Sequence, residues 1–363
     1  MTGGDAAIDT AKLESYLSAE LGMVVTGTEV LHEGLNLSIV VSTPDDQQAY
    51  VLRRPNKLRH TSYINDLEQE YEIMGRLEDA PIDAPAPVLF CDDESILGDQ
   101  FFGMTYLDGT PVPLGSDLPE RFRNASARRT VADCLVDTLA EIHSVDVEPF
   151  EGVCERTTPR QQVDRSIERL DEARSVTGRQ LPLLGDVGDW LQQNAPSASK
   201  TTLVHGDYRP GNVLFAGGDQ PEIAGVLDWE TAMLGDPLTE LGYLLLRWRD
   251  DDPTPALDEL EARYSNEDAI EHLREVNENG LAPFTARAGS PSRRELVARY
   301  EEKTGTSFEH ERFYRALAAF MLATVWVDLH RHQVEAGLES NREPYVDYVS
   351  MIADSIVSGE FEL

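Results

Sequence analysis

His205-Gly-Asp-Tyr-Arg-Pro-Gly-Asn-Val-Leu-Phe215, followed by Gly225-Val-Leu-Asp-Trp-Glu230, decides the reading of this 363-residue chain. Asp207 stands five residues before Asn212, and Asp228 sixteen residues after it. Pro210 and Gly211 suit a tight loop, because one fixes φ and the other tolerates unusual φ. Residues 213–215 and 223–227 read as short strands, and Gly217-Gly218-Asp219 as the turn of a hairpin between them. Such a hairpin returns Asp228 to the side of Asn212, so that residues distant along the chain can share one ion.

A carboxylate, an amide five residues on, and a second carboxylate at a strand end form the order used in phosphoryl transfer. That reaction needs a base for the attacking hydroxyl, oxygen ligands for Mg²⁺, and positive charge to meet the transition state. Asp207 is the candidate base. Asn212 and Asp228 offer the neutral and charged oxygens that hard Mg²⁺ prefers. Arg209 can point back toward the transferred group. His205 reads as a buried histidine bonded to backbone, Tyr208 and Trp229 as packing or pocket-wall residues, and Asp236 of Gly235-Asp236-Pro237 as a cap.

The residues upstream supply what such a site would need for a nucleotide. Segments 24–31, 37–43 and 49–53 read as strands. The turn His32-Glu-Gly-Leu-Asn-Leu-Ser38 lies where backbone N–H groups, with Gly34, Asn36 and Ser38, can meet phosphate oxygens. In Ala49-Tyr-Val-Leu-Arg-Arg54, alternation places Tyr50, Leu52 and Arg54 on one face and Val51 and Arg53 on the other. Arg53 is the phosphate-contacting candidate and Arg54 the alternative. Residues 63–77 are helical by pattern, with Leu67, Tyr71, Met74 and Leu77 at three- and four-residue steps, and Glu70 on this helix is the expected partner of Arg53. Strands at 88–90 and 101–106 lead to Leu107-Asp-Gly-Thr110, the expected hinge, where backbone of Thr105, Tyr106 and Leu107 would meet adenine with Met104 behind it.

At these residues the chain resembles the aminoglycoside phosphotransferase and choline kinase group, small-molecule kinases of protein-kinase-like fold. Within that group it is similar to the branch found as stand-alone phosphotransferases and as kinase domains fused to acyl-CoA dehydrogenases. The resemblance rests on His205-Gly-Asp-Tyr-Arg-Pro-Gly-Asn212, Val226-Leu-Asp-Trp-Glu230, Leu234-Gly-Asp-Pro-Leu238 and Gly289-Ser-Pro-Ser-Arg-Arg-Glu-Leu-Val-Ala-Arg-Tyr300. Gln69-Glu70-Tyr71 matches the branch's Arg-Glu-Tyr. The resemblance implies ATP and Mg²⁺ as cofactors, a hydroxyl-bearing small-molecule acceptor, and hydroxyacyl-CoA substrates for the dehydrogenase-linked members.

The expected fold is α+β and two-lobed: an N-lobe of antiparallel sheet plus helix at 1–107, and a mainly helical C-lobe at 108–363. Residues 128–145 form an amphipathic helix, and later helices are expected at about 237–249, 255–264, 267–277, 292–303, 308–334 and 343–358. Late helices and loops of such a lobe shape the acceptor pocket. Formal net charge is -35, spread along the chain, and lysine occurs only at positions 12, 57, 200 and 303. An acidic surface can serve a cationic acceptor or adaptation to high salt, and the even spread favours high salt. Nothing in it supplies a basic face for nucleic acid. Residues 1–7 lack the regions of a signal peptide, no apolar run approaches a membrane span, and Cys91, Cys134 and Cys154 lack metal-binding spacing, so a cytoplasmic protein is expected. A catalytically silent nucleotide-binding regulator of the same fold is the competing reading. The sequence leaves the acceptor, the oligomeric state and the choice of ATP or GTP open.

Overall fold

The computed structural model describes residues 8–56, 63–197, 200–250 and 254–363. Residues 1–7, read above from sequence, lie outside the described residues. The N-terminal part holds α1 (Thr10–Leu21), β1 (Gly27–Glu33), β2 (Asn36–Ser42), β3 (Tyr50–Pro55), α2 (Leu67–Leu77), β4 (Pro87–Cys91), α3 (Glu94–Leu97) and β5 (Phe101–Thr105). Its strands form one antiparallel sheet in the order β1-β2-β3-β5-β4.

The sheet is covered on both faces, and the period-two alternation of β-strands sorts its side chains between them. Leu37, Ile39 and Val41 of β2, Leu52 of β3 and Phe101 of β5 join Leu13 and Leu17 of α1 in a small core. Val51, Phe102 and Met104 face the other way, toward Ile73, Met74 and Leu77 of α2. The α1 helix starts at Asp9, whose side chain accepts from the Lys12 amide, and ends on Gly22 in the left-handed region. Asp66 caps α2 by accepting from the Gln69 amide at 2.8 Å. Arg53, next to Val51 on the α2 face of β3, is thereby aimed at Glu70.

The remainder is mainly helical. It comprises α4 (Ala125–Ile142), α5 (Pro159–Thr177), α6 (Pro182–Asn194), β6 (Thr202–Val204), β7 (Val213–Ala216), β8 (Glu222–Val226), β9 (Met233–Gly235), α7 (Pro237–Leu245), α8 (Asp258–Arg263), α9 (Glu267–Asn279), α10 (Arg293–Thr304), α11 (Glu311–Glu335) and α12 (Glu343–Ser358). The β7–β8 pair is the hairpin expected from sequence, with Val213 opposite Val226. A second pair, β6 with β9, brackets the catalytic-loop sequence. Helix α11 is largely buried and packs against α5, α7 and α12.

The expected helix at 237–249 stops at Leu245. Its last residues turn more tightly, with the Arg247 and Trp248 amides donating to Leu244 and Leu245, and Trp248 Nε1 is anchored on the Pro291 carbonyl at 2.8 Å. Helices α5 and α6 have no counterpart in the sequence reading. No helix among the described residues is long and apolar enough to cross a membrane.

Candidate active site

The loop after β6 is fixed by its backbone. Gly206 has φ +87°, and a Cβ there would lie 2.4 Å from the Thr231 carbonyl oxygen, so only glycine fits. The amides of His205 and Gly206 donate to the two carboxylate oxygens of Glu240 at 3.0 and 2.6 Å. Glu240 also meets His143 Nε2 at 3.0 Å, and His143 Nδ1 meets the Tyr300 hydroxyl at 2.7 Å. His205 accepts the Asp207 amide on Nδ1 (3.2 Å) and donates from Nε2 to the Leu227 carbonyl (2.7 Å), which places its proton on Nε2. The imidazole therefore joins the catalytic-loop strand to the end of β8. Tyr208 and Trp229 are fully buried, bonded to the Leu135 and Val226 carbonyls.

Burial alone would raise the Glu240 carboxyl, but the His143 hydrogen bond and charge, with His205 adding to them, outweigh it and hold Glu240 below its ordinary 4.5. A carboxyl depressed in the folded state stabilises above its unfolded pKa and loses that contribution as pH falls through the folded value. Melting temperature is accordingly expected to drop as the medium is acidified below about pH 4.5, with a shallower slope in Glu240→Gln. Glu240→Ala strands buried donors on both sides of the site and is expected to cost about 3 to 5 kcal/mol in denaturant unfolding.

Asp207 is held from three directions. Its Oδ1 accepts from the Tyr243 hydroxyl at 2.7 Å, and its Oδ2 accepts from Arg209 Nε at 3.1 Å and Asn212 Nδ2 at 2.9 Å. Asn212 is buried, and its amide nitrogen also donates to the Asp207 carbonyl, which leaves the amide oxygen as the free end of that side chain. The Leu227 amide donates to the Asn212 carbonyl at 2.8 Å, bringing Asp228 alongside. Asp228 itself has φ +64° and ψ +56°, a left-handed conformation that Asp tolerates better than most residues and that turns the chain sharply after β8.

Arg53 sits at the centre of an ion cluster. Its Nη1 lies 2.7 Å from Asp228 and 3.2 Å from Glu70, and its Nη2 lies 2.6 Å from Glu230. Glu70 is fully buried, whereas the Asp228 side chain is 41% exposed to the cleft. Burial would lower the Arg53 guanidinium, yet Glu70, Asp228 and Glu230 together raise it above its ordinary range. Conversely, burial would raise the Asp228 carboxyl, and the Arg53 charge and hydrogen bond hold it below the usual value. Arg54 points to the opposite face, donating to the Leu97 carbonyl and Asn56.

The β1–β2 turn contacts the same cluster in a way the sequence did not indicate. Asn36 Nδ2 donates to Glu230 at 2.8 Å, and the Gly34 amide is used inside the turn by the Asn36 carbonyl. Ser38 lies opposite Arg53 in the β2–β3 register. At the end of β5, Met104 pairs with Val51, while the Thr105 and Tyr106 amides donate to the Ala86 and Ala49 carbonyls. Of the hinge backbone expected to meet adenine, the Thr105 and Tyr106 amides are thus already committed to neighbouring carbonyls.

The model of the phosphotransferase enzyme family matches residues 27–276. This chain belongs to that family. It is 29% identical over 67% of its length to acyl-CoA dehydrogenase family member 10 of Mus musculus, and 26% identical over 82% of its length to family member 11 of Gallus gallus. It spans only 22% and 36% of those two relatives. A solved structure from Ralstonia eutropha JMP134, provisionally described as an aminoglycoside phosphotransferase, superposes with a TM-score of 0.71 at 21% identity, covering 97% of this chain and 98% of that one. The α+β kinase-like fold is shared with it.

Sequence reasoning missed four residues at or beside this candidate site: Tyr243, Arg247 and Arg169, which line its cavity, and Glu240, which holds the loop after β6. Asp236, Glu240, Tyr243 and Arg247 recur at steps of four, three and four, a polar stripe on the otherwise leucine-rich α7, and that stripe was the available signal. Asp236 caps α7 by accepting from the Leu238 amide and also accepts from the Tyr314 hydroxyl. A cavity of about 280 Å³ opens beside Asp207, Arg209 and Asp228 and runs toward Leu114, Met321 and Trp326. His330 lies outside its lining. Helix α11 forms one wall, as expected of the late helices, whereas no described residue of 250–288 lines the cavity.

Proposed function

We propose that this chain transfers the γ-phosphoryl group of ATP to a hydroxyl of a small molecule, with Asn212 and Asp228 as the residues that would hold Mg²⁺. The observation that carries this reading is the convergence of Asp207, Asn212 and Asp228, joined by the Asn212–Asp207 hydrogen bonds and the Leu227–Asn212 backbone bond. In the reaction the acceptor oxygen bonds to the γ-phosphorus, the bond from that phosphorus to the β,γ-bridging oxygen breaks, ADP leaves, and the hydroxyl proton passes to Asp207. Tyr243 and Arg209 orient the Asp207 carboxylate, and Arg209 adds positive charge beside the transferred group. The donor set fits the metal: Asn212 and Asp228 offer one amide and one carboxylate oxygen, and Mg²⁺ is commonly held by one or two protein oxygens with phosphates and water filling the rest. Bound there, it would neutralise charge developing on the phosphates.

Arg53 is proposed as the phosphate contact, with Glu70 as its buried partner and Asp228 as a residue that would hold the metal. Its buried Nε, without a hydrogen-bond partner, is consistent with a group that still has a donor to place. Arg53→Gln is expected to weaken nucleotide binding about 10- to 100-fold, the loss of a charge-assisted hydrogen bond, and Arg54→Gln to change it little. Calorimetric ATP titration of both variants checks this, and the reverse order would move the contact to Arg54.

One observation favours the competing reading of a silent nucleotide-binding regulator. The Arg53–Asp228 ion pair occupies both groups, as it would in a site that never loads a metal. ATP consumption with Mg²⁺ in high-KCl buffer separates the two readings, using a pooled panel of hydroxyacyl-CoAs, amino alcohols, sugars and aminoglycosides with Asp207→Asn as the blank. A consumption lost in the variant supports the transferase. ATP binding without consumption across the panel supports the regulator.

A further inference from the structure

Two buried arginines line the cavity without a carboxylate at ion-pair distance among the described residues, Asp328 and Glu172 acting on Arg169 only from farther off. Arg247 is 3% exposed and stacks its guanidinium 4.5 Å from the centre of the Tyr243 ring. Its Nη2 donates to the Tyr243 hydroxyl at 2.8 Å, while Nε and Nη1 are buried without a partner. Arg169 of α5 is 9% exposed and stacks 4.1 Å from the centre of the Tyr63 ring. Its Nη1 reaches Thr324 at 3.3 Å, and its Nε is buried without a partner. Burial lowers the Arg169 guanidinium below its ordinary range.

This is costly chemistry in an acidic chain. Removing a cation from water without a close counter-ion is unfavourable, and 66 acidic residues against 31 basic ones make counter-ions plentiful. Elsewhere the chain uses them: Arg53 has three carboxylates, and Arg299 has Asp133 and Asp137. Among the described residues lining this cavity the carboxylates are Asp207, Asp228 and Glu230, all at the phosphate end. The far end offers two guanidinium groups and apolar side chains including Leu114, Met321 and Trp326. Guanidinium stacked on tyrosine, with unfilled planar donors, is a geometry suited to a carboxylate or phosphate.

We infer that the acceptor is an anionic hydroxy compound, a small molecule with a hydrocarbon body whose carboxylate or phosphate is bound by Arg247 and Arg169. The inference rests on the phosphotransferase reading and adds the substrate class to it. It excludes a cationic acceptor, despite the acidic surface that would attract one. The cavity lies just below the about 300–1,000 Å³ of drug-sized sites, which argues for a small acid. Tyr243 bridges the two ends, accepting from Arg247 and donating to Asp207, so an anion at Arg247 lies one side chain from the base.

The test uses matched sets of equal carbon length: ω-hydroxy acids, ω-hydroxyalkyl phosphates, diols and amino alcohols, assayed for phosphorylation by Mg²⁺ and ATP. One of the two anionic classes is expected to exceed both diols and amino alcohols in kcat/KM by at least about 10-fold, and which one names the anion. Arg247→Gln and Arg169→Gln are each expected to raise KM for that class about 10- to 100-fold, with kcat moving less. Preference for amino alcohols or diols, or an unchanged KM in both variants, overturns the inference and leaves the transferase standing. Calorimetry on the wild-type protein without nucleotide, comparing alkanoates and alkyl phosphates with alkylamines, decides the anion site even if the variants fail to fold or nothing is phosphorylated. Binding of either anion in preference to the amine supports it. Absence of binding by both anions, or stronger binding of the amine, overturns it. Failure of transfer together with retained anion binding sinks the transferase reading and not the anion site.

Discussion

Replacing Asp207 with asparagine is expected to lower phosphoryl transfer by about 100- to 10,000-fold, the usual contribution of a positioned general base. Nucleotide affinity should stay close to that of the native chain, because Asp207 touches neither Arg53 nor the hinge. Its contacts are Tyr243, Arg209 and Asn212, which orient the carboxylate and tie it to the proposed metal ligand Asn212. Asparagine keeps the volume and can still accept from Tyr243, but it has no negative charge to receive the hydroxyl proton. Its amide nitrogen would also face the donors of Arg209 and Asn212. A thermal melt therefore accompanies the kinetics. Turnover within a few-fold of the native rate in a folded variant would remove Asp207 as the base.

Asp228→Ala is expected to abolish the Mg²⁺ dependence of nucleotide binding and reduce affinity in Mg²⁺ by at least about 100-fold, since losing even an outer partner of a metal ligand costs 10- to 100-fold. Two effects add here. The charged oxygen proposed for the metal disappears, and Arg53 keeps only Glu70 and Glu230 as ion-pair partners. Without Mg²⁺ the variant should bind ATP at least as well as the native chain, because the carboxylate that repels phosphate is gone. Titrations with and without the metal, on both proteins, separate the effects. An unchanged metal response in Asp228→Ala would defeat the assignment.

Much of this arrangement was legible because local rules and global fold agreed. The hairpin from 213 to 227 followed from two β-branched runs and a glycine turn. Alternation on β3 put Arg53 and Arg54 on opposite faces and the three- and four-residue steps marked α2 as a helix, while the pairing of Arg53 with Glu70 came from the family resemblance. The antiparallel N-terminal sheet was implied by the resemblance and is observed, whereas its strand order was not read from the sequence. What stayed hidden was hidden for physical reasons. The buried face of α5 carries Gln162, Ser166 and Arg169 beside Val163 and Leu170, so its apolar period is broken. In α6, Gly185 and Gly188 read as breakers, yet a Cβ at Gly188 would press on Ile167 and Phe320 at 3.2 Å, and the glycine lets three helices approach. Glu240 and Arg247 sit one or more turns beyond the motif that was read, and their importance depends on contacts to residues 35 or more positions away, or to a cavity. Asn36 was read as a phosphate ligand from its loop, while its side chain reaches Glu230, 194 residues on.

The Asp207, Asn212 and Asp228 convergence is proposed to transfer phosphorus rather than merely hold a nucleotide. The measurement that addresses it most directly follows the atom itself, using ATP labelled with ³²P at the γ-position, Mg²⁺ and the acceptor panel, with native protein and Asp207→Asn side by side. The expected result is label in an acid-stable phosphate monoester of an acceptor, formed one for one with ADP by the native chain and nearly absent with Asp207→Asn. Label that remains in ATP although ATP binds, or that forms equally with the variant, would contradict the account.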